Sequence, residues 1–240
     1  EPLGLTNCLN FGNPEKPHIA WQLTEAVEGL AQACEALGVP VVGGNVSLYN
    51  EGPDGPILPT PVVGMVGELP DVTRAGRIGF AAEGDAIALI GSFKPSPAAS
   101  ELGKLRGEAP AGPLPEVDLA ELSAAHRAVR GGLRSGSLRS AHDVSEGGIA
   151  VALAECCAAG GVGAEVSLPA ELGEADVALF GEAPGTAFLV SGHQSAMSDV
   201  LRARVIGRVG GDRLRIGDAV DLGVEELRAA RDGGLAASLA

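Results

Sequence analysis

The chain has 240 residues, of which 45% are hydrophobic and 20% charged, a composition that supports a packed core and excludes a disordered tail. Its formal net charge of −14 at pH 7 argues against binding a nucleic-acid backbone, which requires clustered Lys and Arg. Small anionic ligands remain compatible with this charge, because backbone amides and a bound cation hold phosphate in acidic proteins as well.

The first segment, EPLGLTNCLNFG, lacks the basic stretch and apolar core of a signal peptide, and no apolar run is long enough to span a bilayer. The cysteines Cys8, Cys34, Cys156 and Cys157 form no C-x-x-C pair, and this usage fits a reducing compartment. We therefore expect a cytoplasmic protein with no membrane partner. Because the sequence opens on Glu1 within what reads as a fold, we also expect a fragment of a longer protein.

The first predicted elements form a small α/β unit that ends near residue 72. Residues 5–17 are dense in Asn, Gly and Pro, which predicts a shaped loop. Apolar residues recur every three or four positions from Ile19 to Leu37, which predicts a helix with one buried face that includes Cys34. Strands are predicted at Val39–Gly44 and Pro61–Glu68.

A second unit follows the change in composition after residue 72, and its pattern is also α/β. A strand is predicted from Ala86 to Ile90, and the Pro- and Gly-rich residues 94–117 are predicted as a long loop. The remaining predicted elements are helices at 119–134, 148–159 and Val224–Arg231, and strands at Ala187–Val190 and Val205–Val209.

The stretch GVPVVGGNVSLYNEG, residues 38–52, begins as an apolar strand and then presents glycines, amides and a hydroxyl. Strand side chains alternate, so Asn45 and Ser47 share a face while Val46 is expected in the core. Gly43–Gly44 lacks the Cβ atoms that keep a phosphate away from backbone N–H groups, and the Asn45 oxygen suits Mg²⁺ already neutralised by phosphates. A plain Gly-Asn turn is the alternative, and glycosylation at NVS would require secretion.

Two further segments are candidates for anion binding. LTNCLNFGNPEKP offers amides from Asn7, Asn10 and Asn13 ahead of a helix N-terminus, unless these side chains only shape a tight loop. SAHDVSEGG reads as a strand, a glycine turn and a helix aimed at an anion, or as a plain connection. His142 and its neighbours do not predict a catalytic triad, because adjacent strand residues point to opposite faces.

Three segments, LTNCLNFGNPEKP, GVPVVGGNVSLYNE and SAHDVSEGGIAVALAE, resemble in this order and spacing the C-terminal part of the phosphoribosylformylglycinamidine synthase large-subunit family of bacteria. Later segments, among them TPVVGMVGEL, EGDAIALIG and VIGRVGGDRLRI, are similar to the same family. The resemblance therefore covers essentially the whole chain, and its first two motifs are specific to this family within its superfamily.

The resemblance implies an aminoimidazole ribonucleotide (AIR) synthetase-like α/β fold. Residues 1–72 would be a partial N-terminal-like unit of a kind that forms a barrel, and residues 73–240 a complete C-terminal-like α/β sandwich. The implied activity is a carbon–nitrogen ligase of purine biosynthesis, in which ATP phosphorylates the formamide oxygen of formylglycinamide ribonucleotide and glutamine-derived ammonia displaces the phosphate. The implied partners are the glutaminase subunit PurQ, the small subunit PurS and the missing N-terminal part of the same subunit.

Carried over by position, the resemblance implies that Asn7 and Gly44 contact ATP, that Asn45 binds Mg²⁺ and that Ser47 contacts the ribonucleotide. It implies no catalytic residue in this chain, because the family's catalytic histidine and most of its magnesium carboxylates belong to the N-terminal part. His142 is not a replacement for that histidine. We therefore expect the fragment alone to be inactive.

Two departures and two alternatives accompany the resemblance. Asn7 stands where the family frequently has Asp, and Thr186 stands where it often has Arg, which leaves any role of that Arg in doubt here. One alternative is a non-catalytic half that holds a nucleotide for stability only. The other is a sister enzyme such as selenophosphate synthetase or thiamine-monophosphate kinase, and the segment TNCLNFGNPEKP argues against it.

Overall fold

The computed structural model describes residues 1–98, 100–108, 116–183, 185–197 and 203–239, with side chains up to residue 234. The chain separates into two compact units, Glu1–Val72 and Thr73–Ala240. Both units combine helices with β-sheet, which confirms the predicted α/β class. None of the described helices is both long enough and apolar enough to cross a membrane.

The first unit is built around a strand that has a partner on each edge. Its sheet has the order β2-β1-β5, in which β1 runs parallel to β2 and antiparallel to β5. The parallel pair is joined by a helix, as parallel pairs require. The elements are β1 (Pro2–Asn10), α1 (Pro17–Leu37), β2 (Val41–Ser47), the short pair β3 (Glu51–Gly52) and β4 (Gly55–Pro56), and β5 (Thr60–Gly67).

Strand β1 corrects the prediction of a loop across residues 5–17. Its Asn and Gly residues have low intrinsic strand propensity, and propensity alone favours a turn there. Strands on both edges supply hydrogen-bond partners to its backbone, while Leu5 and Leu9 are buried. Tertiary pairing therefore outweighs local preference, and only the residues between Asn10 and Pro17 connect the strand to the helix.

Helix α1 confirms the predicted helix and both of its end signals. Pro17 occupies the first turn, where a missing N–H costs nothing, and Gly38 ends the helix with a φ of +66°. Ile19 is buried in a small cluster with Leu9 and Phe11. Cys34 lies further along the helix and is only half-buried, so the prediction of a buried thiol there is wrong.

Most of the sheet in the first unit is open to solvent on both faces, which contradicts the expected burial of Val46. Val46 is 59% exposed, and Val62 and Val66 on β5 are 52% and 67% exposed. Three strands and one helix provide too few layers to cover both faces of a sheet. The apolar alternation that predicts a core is present in the sequence, but within Glu1–Val72 little packs against it.

The second unit contains a larger sheet with a helix layer on each face. Within the described residues its seven strands have the order β12-β11-β8-β10-β6-β9-β7. The elements are β6 (Ala86–Gly91), α2 (Glu101–Arg106), α3 (Leu119–Ser135), β7 (Ser140–Asp143), α4 (Gly148–Gly160), β8 (Ala164–Val166), α5 (Ala175–Phe180), β9 (Ala187–Gly192), α6 (Gln194–Met197), β10 (Arg204–Val209), β11 (Arg213–Ile216), β12 (Val220–Gly223) and α7 (Val224–Leu239).

Strand β6 is an inner strand of this sheet, between β10 and β9, and is buried on both faces. Ile87 and Leu89 pack into the cluster that contains Leu153 of α4, while Ile90 packs on the other side with Val129 of α3. Alternate side chains of one strand thus enter two cores, as expected for a sheet between two helix layers. This arrangement agrees with the expected α/β sandwich.

The second unit departs from the predicted elements in several places, and α5, α6, β8, β11 and β12 were not predicted. Residues 94–117 are not one long loop, because Ser100 caps the short helix α2 by accepting a hydrogen bond from the Gly103 N–H at 3.1 Å. Residues 109–115 of the predicted loop lie outside the described part. Helix α7 continues to Leu239, beyond the predicted end at Arg231.

We predict that the exposed valines of β5 drive self-association of this chain. The double substitution V62K/V66K places two charges on one face of the strand, and it should shift the chain towards monomer in sedimentation velocity. The free energy of unfolding should change by only about 0.5 kcal/mol, because both positions are already exposed.

Leu105→Lys is the matched control, since Leu105 lies on α2 of the second unit and is 88% exposed. This control should leave the association unchanged. If V62K/V66K associates as strongly as the unaltered chain, this face of β5 does not mediate the self-association.

Candidate functional site

The four residues singled out by the sequence lie on the paired strands β1 and β2. Asn7 pairs with Gly44, one step before the pair Cys8–Asn45. Ser47 is paired with Asn10 at the carboxyl ends of the two strands. Because paired residues share a face and neighbours alternate, Asn45 and Ser47 lie on one face and Asn7 on the other. The structure therefore brings Asn45 and Ser47 together and separates Asn7 from them.

Gly44 is fixed by the close approach of the two strands. Its φ is +150°, and a Cβ atom built there would lie 1.8 Å from the backbone oxygen of Asn7. No side chain fits at such a distance, so strand pairing alone requires glycine here.

The Asn45 side chain is oriented by a neighbour on β1. Its Nδ2 donates a hydrogen bond to the Cys8 Sγ at 3.4 Å, across the register pair. With the nitrogen engaged in this way, the Oδ1 remains available as an acceptor or ligand. An amide oxygen is a hard, neutral ligand of the kind that Mg²⁺ accepts. The described residues contain no group of three or more His, Cys, Asp or Glu that would hold a metal without further ligands.

Ser47 belongs to a small hydrogen-bonded corner that the sequence analysis did not identify. Asn50 Nδ2 donates to the Ser47 backbone oxygen at 2.9 Å and to the Phe11 backbone oxygen at 3.1 Å. The Ser47 hydroxyl lies 3.3 Å from Asn50 Oδ1. Asn50 thus ties the end of β2 to the segment after β1 and holds the Ser47 hydroxyl in place. The spacing N-V-S-L-Y-N was visible in the sequence, but only the fold shows which backbone groups it joins.

Asn10 and Lys16 complete the surroundings of this corner. Asn10 Nδ2 donates to the Thr60 backbone oxygen at 3.1 Å, which joins the ends of β1 and β5. Lys16, just before α1, forms an ion pair with Glu51 at 2.5 Å. The Lys16 and Glu51 side chains are 42% and 38% exposed, so solvent screens the ion pair and it contributes little to stability. The ion pair does connect the loop before α1 to the short strand β3.

The N-terminal end of α4, one of the candidate anion sites in the sequence, already binds a carboxylate from the same chain. Glu182 Oε1 accepts hydrogen bonds from the Gly147 N–H at 2.9 Å and from the Glu101 N–H at 2.8 Å. These two amides belong to the N-terminal ends of α4 and α2. Glu182 therefore occupies the position that the sequence analysis assigned to an external anion, and the plain strand-to-helix connection is the better description.

His142 lies beside this turn in a network that is compatible with a structural role. Its Nε2 is 3.1 Å from Glu155 Oε2, and its Nδ1 is 2.6 Å from the Asp143 backbone oxygen. The Ser145 hydroxyl donates to Asp143 Oδ2 at 2.6 Å, and this hydrogen bond holds the pKa of Asp143 below its usual range. The carboxylate–hydroxyl pair closes the turn between β7 and α4.

Two other features of the sequence have structural explanations. Thr186 is buried and its hydroxyl donates to the Ser92 backbone oxygen at 2.6 Å, so the side chain ties β9 to the segment after β6. Cys156 and Cys157 are buried in α4, and burial raises the pKa of both thiols, to about 12 for Cys157. Both thiols are therefore protonated and unreactive at neutral pH.

Comparison with family models gives two adjacent matches. Residues 1–69 match the AIR synthase related protein, N-terminal domain, and residues 82–218 match the AIR synthase related protein, C-terminal domain. The matches cover a large part of each compact unit.

Among curated proteins, the chain is similar to phosphoribosylformylglycinamidine synthase subunit PurL of several bacteria. It is 47% identical to the subunit of Anaeromyxobacter dehalogenans over 97% of this chain and 33% of that protein. It is also 47% identical to that of Moorella thermoacetica over 89% of this chain and 30% of that protein. The chain thus spans about a third of the length of these relatives.

Solved structures of T. maritima PurL share the fold at low identity. The complex with FGAR matches with a TM-score of 0.70 at 18% identity, over 95% of this chain and 40% of that chain. The complex with ATP gives 0.69 at 18% identity, over 95% and 38%. A structure named PurLQS from Thermotoga maritima gives 0.67 at 18% identity, over 95% and 38%.

We predict that Glu182 stabilises the second unit by satisfying two helix ends at once. Glu182→Ala leaves the N–H groups of Gly147 and Glu101 without their shared acceptor, and should lower the free energy of unfolding by about 1–3 kcal/mol. Glu182→Gln keeps an acceptor oxygen and loses only the charge, so its effect should be smaller. Chemical denaturation followed by circular dichroism measures both.

Glu174→Ala is the control from the same segment, because Glu174 precedes α5 without making a side-chain hydrogen bond to its end. Its unfolding free energy should match that of the unaltered chain. Equal stability of Glu182→Ala and Glu174→Ala would remove the stabilising role assigned to Glu182.

Proposed function

The chain belongs to the AIR synthase related protein family, and we propose that it is the C-terminal part of a phosphoribosylformylglycinamidine synthase large subunit. In this role it contributes to the binding of ATP, magnesium and ribonucleotide. The complete enzyme converts formylglycinamide ribonucleotide, ATP and glutamine-derived ammonia into formylglycinamidine ribonucleotide. Because the chain spans about a third of its relatives, it supplies one part of the machinery and is expected to be inactive alone.

The observation that carries this proposal is the 47% identity to a PurL subunit over 97% of the chain. The residues carried over by resemblance add support, since Gly44, Asn45 and Ser47 lie together near the carboxyl end of β2. Parallel strands present their carboxyl ends at the same edge of a sheet, and ligands of α/β proteins commonly bind there. A sister enzyme of the superfamily has no comparable support in the sequence.

The proposed roles follow from the chemistry of each group. Gly44 contacts a phosphate of ATP through its backbone, and Asn7, its register partner on β1, contacts ATP on the face opposite Asn45 and Ser47. Asn45 offers its Oδ1 to Mg²⁺, with Cys8 holding its Nδ2. Ser47 donates or accepts one hydrogen bond with the ribonucleotide, from a hydroxyl steadied by Asn50.

Asn45 is compatible with magnesium as one ligand among several. It provides a single neutral oxygen, so phosphate oxygens and carboxylates from outside the described residues would have to complete the shell. When bound, the metal neutralises phosphate charge and so assists phosphoryl transfer. This chain's contribution is to position one oxygen, and general acid–base chemistry belongs to the N-terminal part of the subunit.

The partners follow from the same assignment. We expect the rest of the large subunit to cover the open sheet of the first unit, and the glutaminase subunit PurQ and small subunit PurS to assemble with the whole protein in the cytoplasm. The relative named PurLQS supports an assembly of this kind. The alternative, a half that holds nucleotide for stability only, predicts a tightly bound and unhydrolysed nucleotide in the purified protein.

We predict that three substitutions in the full-length subunit separate three roles. Asn45→Ala should raise the Mg²⁺ concentration needed for half-maximal rate, and excess Mg²⁺ should partly restore activity. Ser47→Ala removes one hydrogen bond worth about 0.5–1.5 kcal/mol, so the KM for the ribonucleotide should rise about two- to tenfold with unchanged metal dependence. Asn7→Ala should raise the KM for ATP alone, because its side chain lies on the opposite face.

Steady-state kinetics with Mg²⁺, ATP and ribonucleotide titrated separately provides the measurement. Asn13→Ala is the control, since Asn13 lies in the loop before α1 and its side-chain oxygen accepts a local hydrogen bond from the Glu15 N–H. If Asn45→Ala and Ser47→Ala respond alike, or neither changes, residues 43–47 are only a tight strand end.

We also predict that activity is divided between this chain and the remainder of the subunit. The chain alone should form no amidine product from ribonucleotide, ATP and ammonium. Addition of the separately expressed N-terminal portion should restore some product, because the open sheet would regain its partner. The release of phosphate from ATP is measured to monitor the reaction. Turnover by the isolated chain would contradict the absence of catalytic residues.

A further inference from the structure

A groove on the second unit is lined by three arginines that have no role in the site described above. Its volume is about 600 Å³, and small-molecule sites typically span about 300–1,000 Å³. Arg74 and Arg77 come from the segment that opens the unit, and Arg139 follows the turn after α3. All three residues are exposed, so the groove is open to solvent.

Arg139 is neutralised and held in place by the buried carboxylate of Asp85. Arg139 Nη1 donates to Asp85 Oδ1 at 2.7 Å, and the Asp85 side chain is only 3% exposed. The other carboxylate oxygen, Oδ2, is buried and has no hydrogen-bond partner among the described residues. A buried carboxylate of this kind needs its cation, so the pair fixes one guanidinium at the rim of the groove.

The other two arginines are not matched by carboxylates. Within the described residues, no hydrogen bond or ion pair engages the guanidinium of Arg74 or Arg77. Arg74 Nη1 lies next to Gly136, 2.8 Å from where a Cβ atom would stand, at the end of α3. The helix end carries about half a negative charge, which attracts Arg74 but leaves part of its charge available.

The segment that carries these two side chains is anchored by its backbone. The Arg77 carbonyl accepts a hydrogen bond from the Ala141 N–H at 2.9 Å, and the same residue forms a parallel bridge with Ser140 of β7. Arg77 is therefore presented from a backbone held against the large sheet. It is the cation in the groove that is least engaged by the protein itself.

Apart from Thr73 the remaining lining is apolar, and none of the described residues that line the groove is acidic. It consists of Ala75, Ala81, Ala82, Leu133 and Leu138, together with Thr73 and Gly136. Two available guanidiniums match the charge and the bidentate geometry of a dianionic phosphate. The alanine and leucine side chains match an uncharged ring or sugar. We propose that this groove binds a phosphate monoester carried on an uncharged body, the class that includes nucleoside monophosphates.

The test is isothermal titration calorimetry of this chain with AMP, inorganic phosphate and adenosine. AMP should bind saturably, and phosphate and adenosine should each bind at least about tenfold more weakly, because each lacks half of the recognised groups. Arg77→Ala should weaken AMP binding by about tenfold or more, and Arg77→Lys by less, since the charge remains and the bidentate contact is lost. Circular dichroism checks that each variant is folded.

Two controls separate this groove from other sites. Arg215→Ala removes an exposed arginine of β11, which lies 3.5 Å from Asp221, and should leave AMP binding unchanged. Asn45→Ala should also leave it unchanged, because that residue belongs to the proposed magnesium site. Loss of AMP binding in Asn45→Ala with retention in Arg77→Ala would assign the ligand to the other site and overturn the proposal.

Two further outcomes would also overturn it. No saturable AMP binding by the unaltered chain means that the groove has no such ligand. Equal affinity for inorganic phosphate and AMP means that the apolar lining takes no part, and the proposed ligand class is then wrong. The result does not depend on the ligase assignment, because the titration involves no ATP hydrolysis and the groove residues lie outside β1 and β2.

Discussion

The pairing of β1 with a strand on each edge is the constraint on which the first unit depends. It fixes a one-to-one register from Thr6–Gly43 to Asn10–Ser47, and so decides which side chains share a face. The same pairing brings the backbone of Gly44 against Asn7, which excludes any side chain at that position. Backbone geometry therefore sets both the composition and the orientation of the candidate site before any ligand is considered.

The two units meet the demand for a covered sheet in different ways. In the second unit, β6 lies between two helix layers and its alternate residues fill two cores, Ile87 and Leu89 on one side and Ile90 on the other. In the first unit, α1 buries little more than Ile19 against Leu9 and Phe11. Exposed apolar residues such as Val62 and Val66 therefore leave the sheet of the first unit without the cover that β6 has in the second unit.

The sequence predicted those parts of the fold that local signals control. Helix α1 was predictable from its apolar period and from Pro17 and Gly38, because each end has its own local chemistry. Strand β1 was not, since its asparagines and glycines favour a turn until strands on both edges satisfy the backbone.

In the candidate site, the shared face of Asn45 and Ser47 followed from the alternation of side chains along a strand. The separation of Asn7 from that face required the register, which no local pattern contains. The predicted burial of Val46 was wrong for a related reason, because alternation gives the face on which a residue lies but not whether another element covers that face.

Charge in this protein has to be considered by position, since the total of −14 describes neither of its two anion-related features. At the N-terminal end of α4, an external anion is unnecessary because Glu182 already accepts the Gly147 and Glu101 amides. In the arginine groove the situation is reversed. Asp85 is paired with Arg139, and none of the described residues that line the groove beside Arg74 and Arg77 is acidic. At the helix end, the chain's own carboxylate takes the place of an external anion. In the groove, the arginines that face no carboxylate remain available to an anionic ligand. Since screening confines such surface interactions to about 10 Å at ordinary ionic strength, the local arrangement outweighs the net charge in deciding where a phosphate is held.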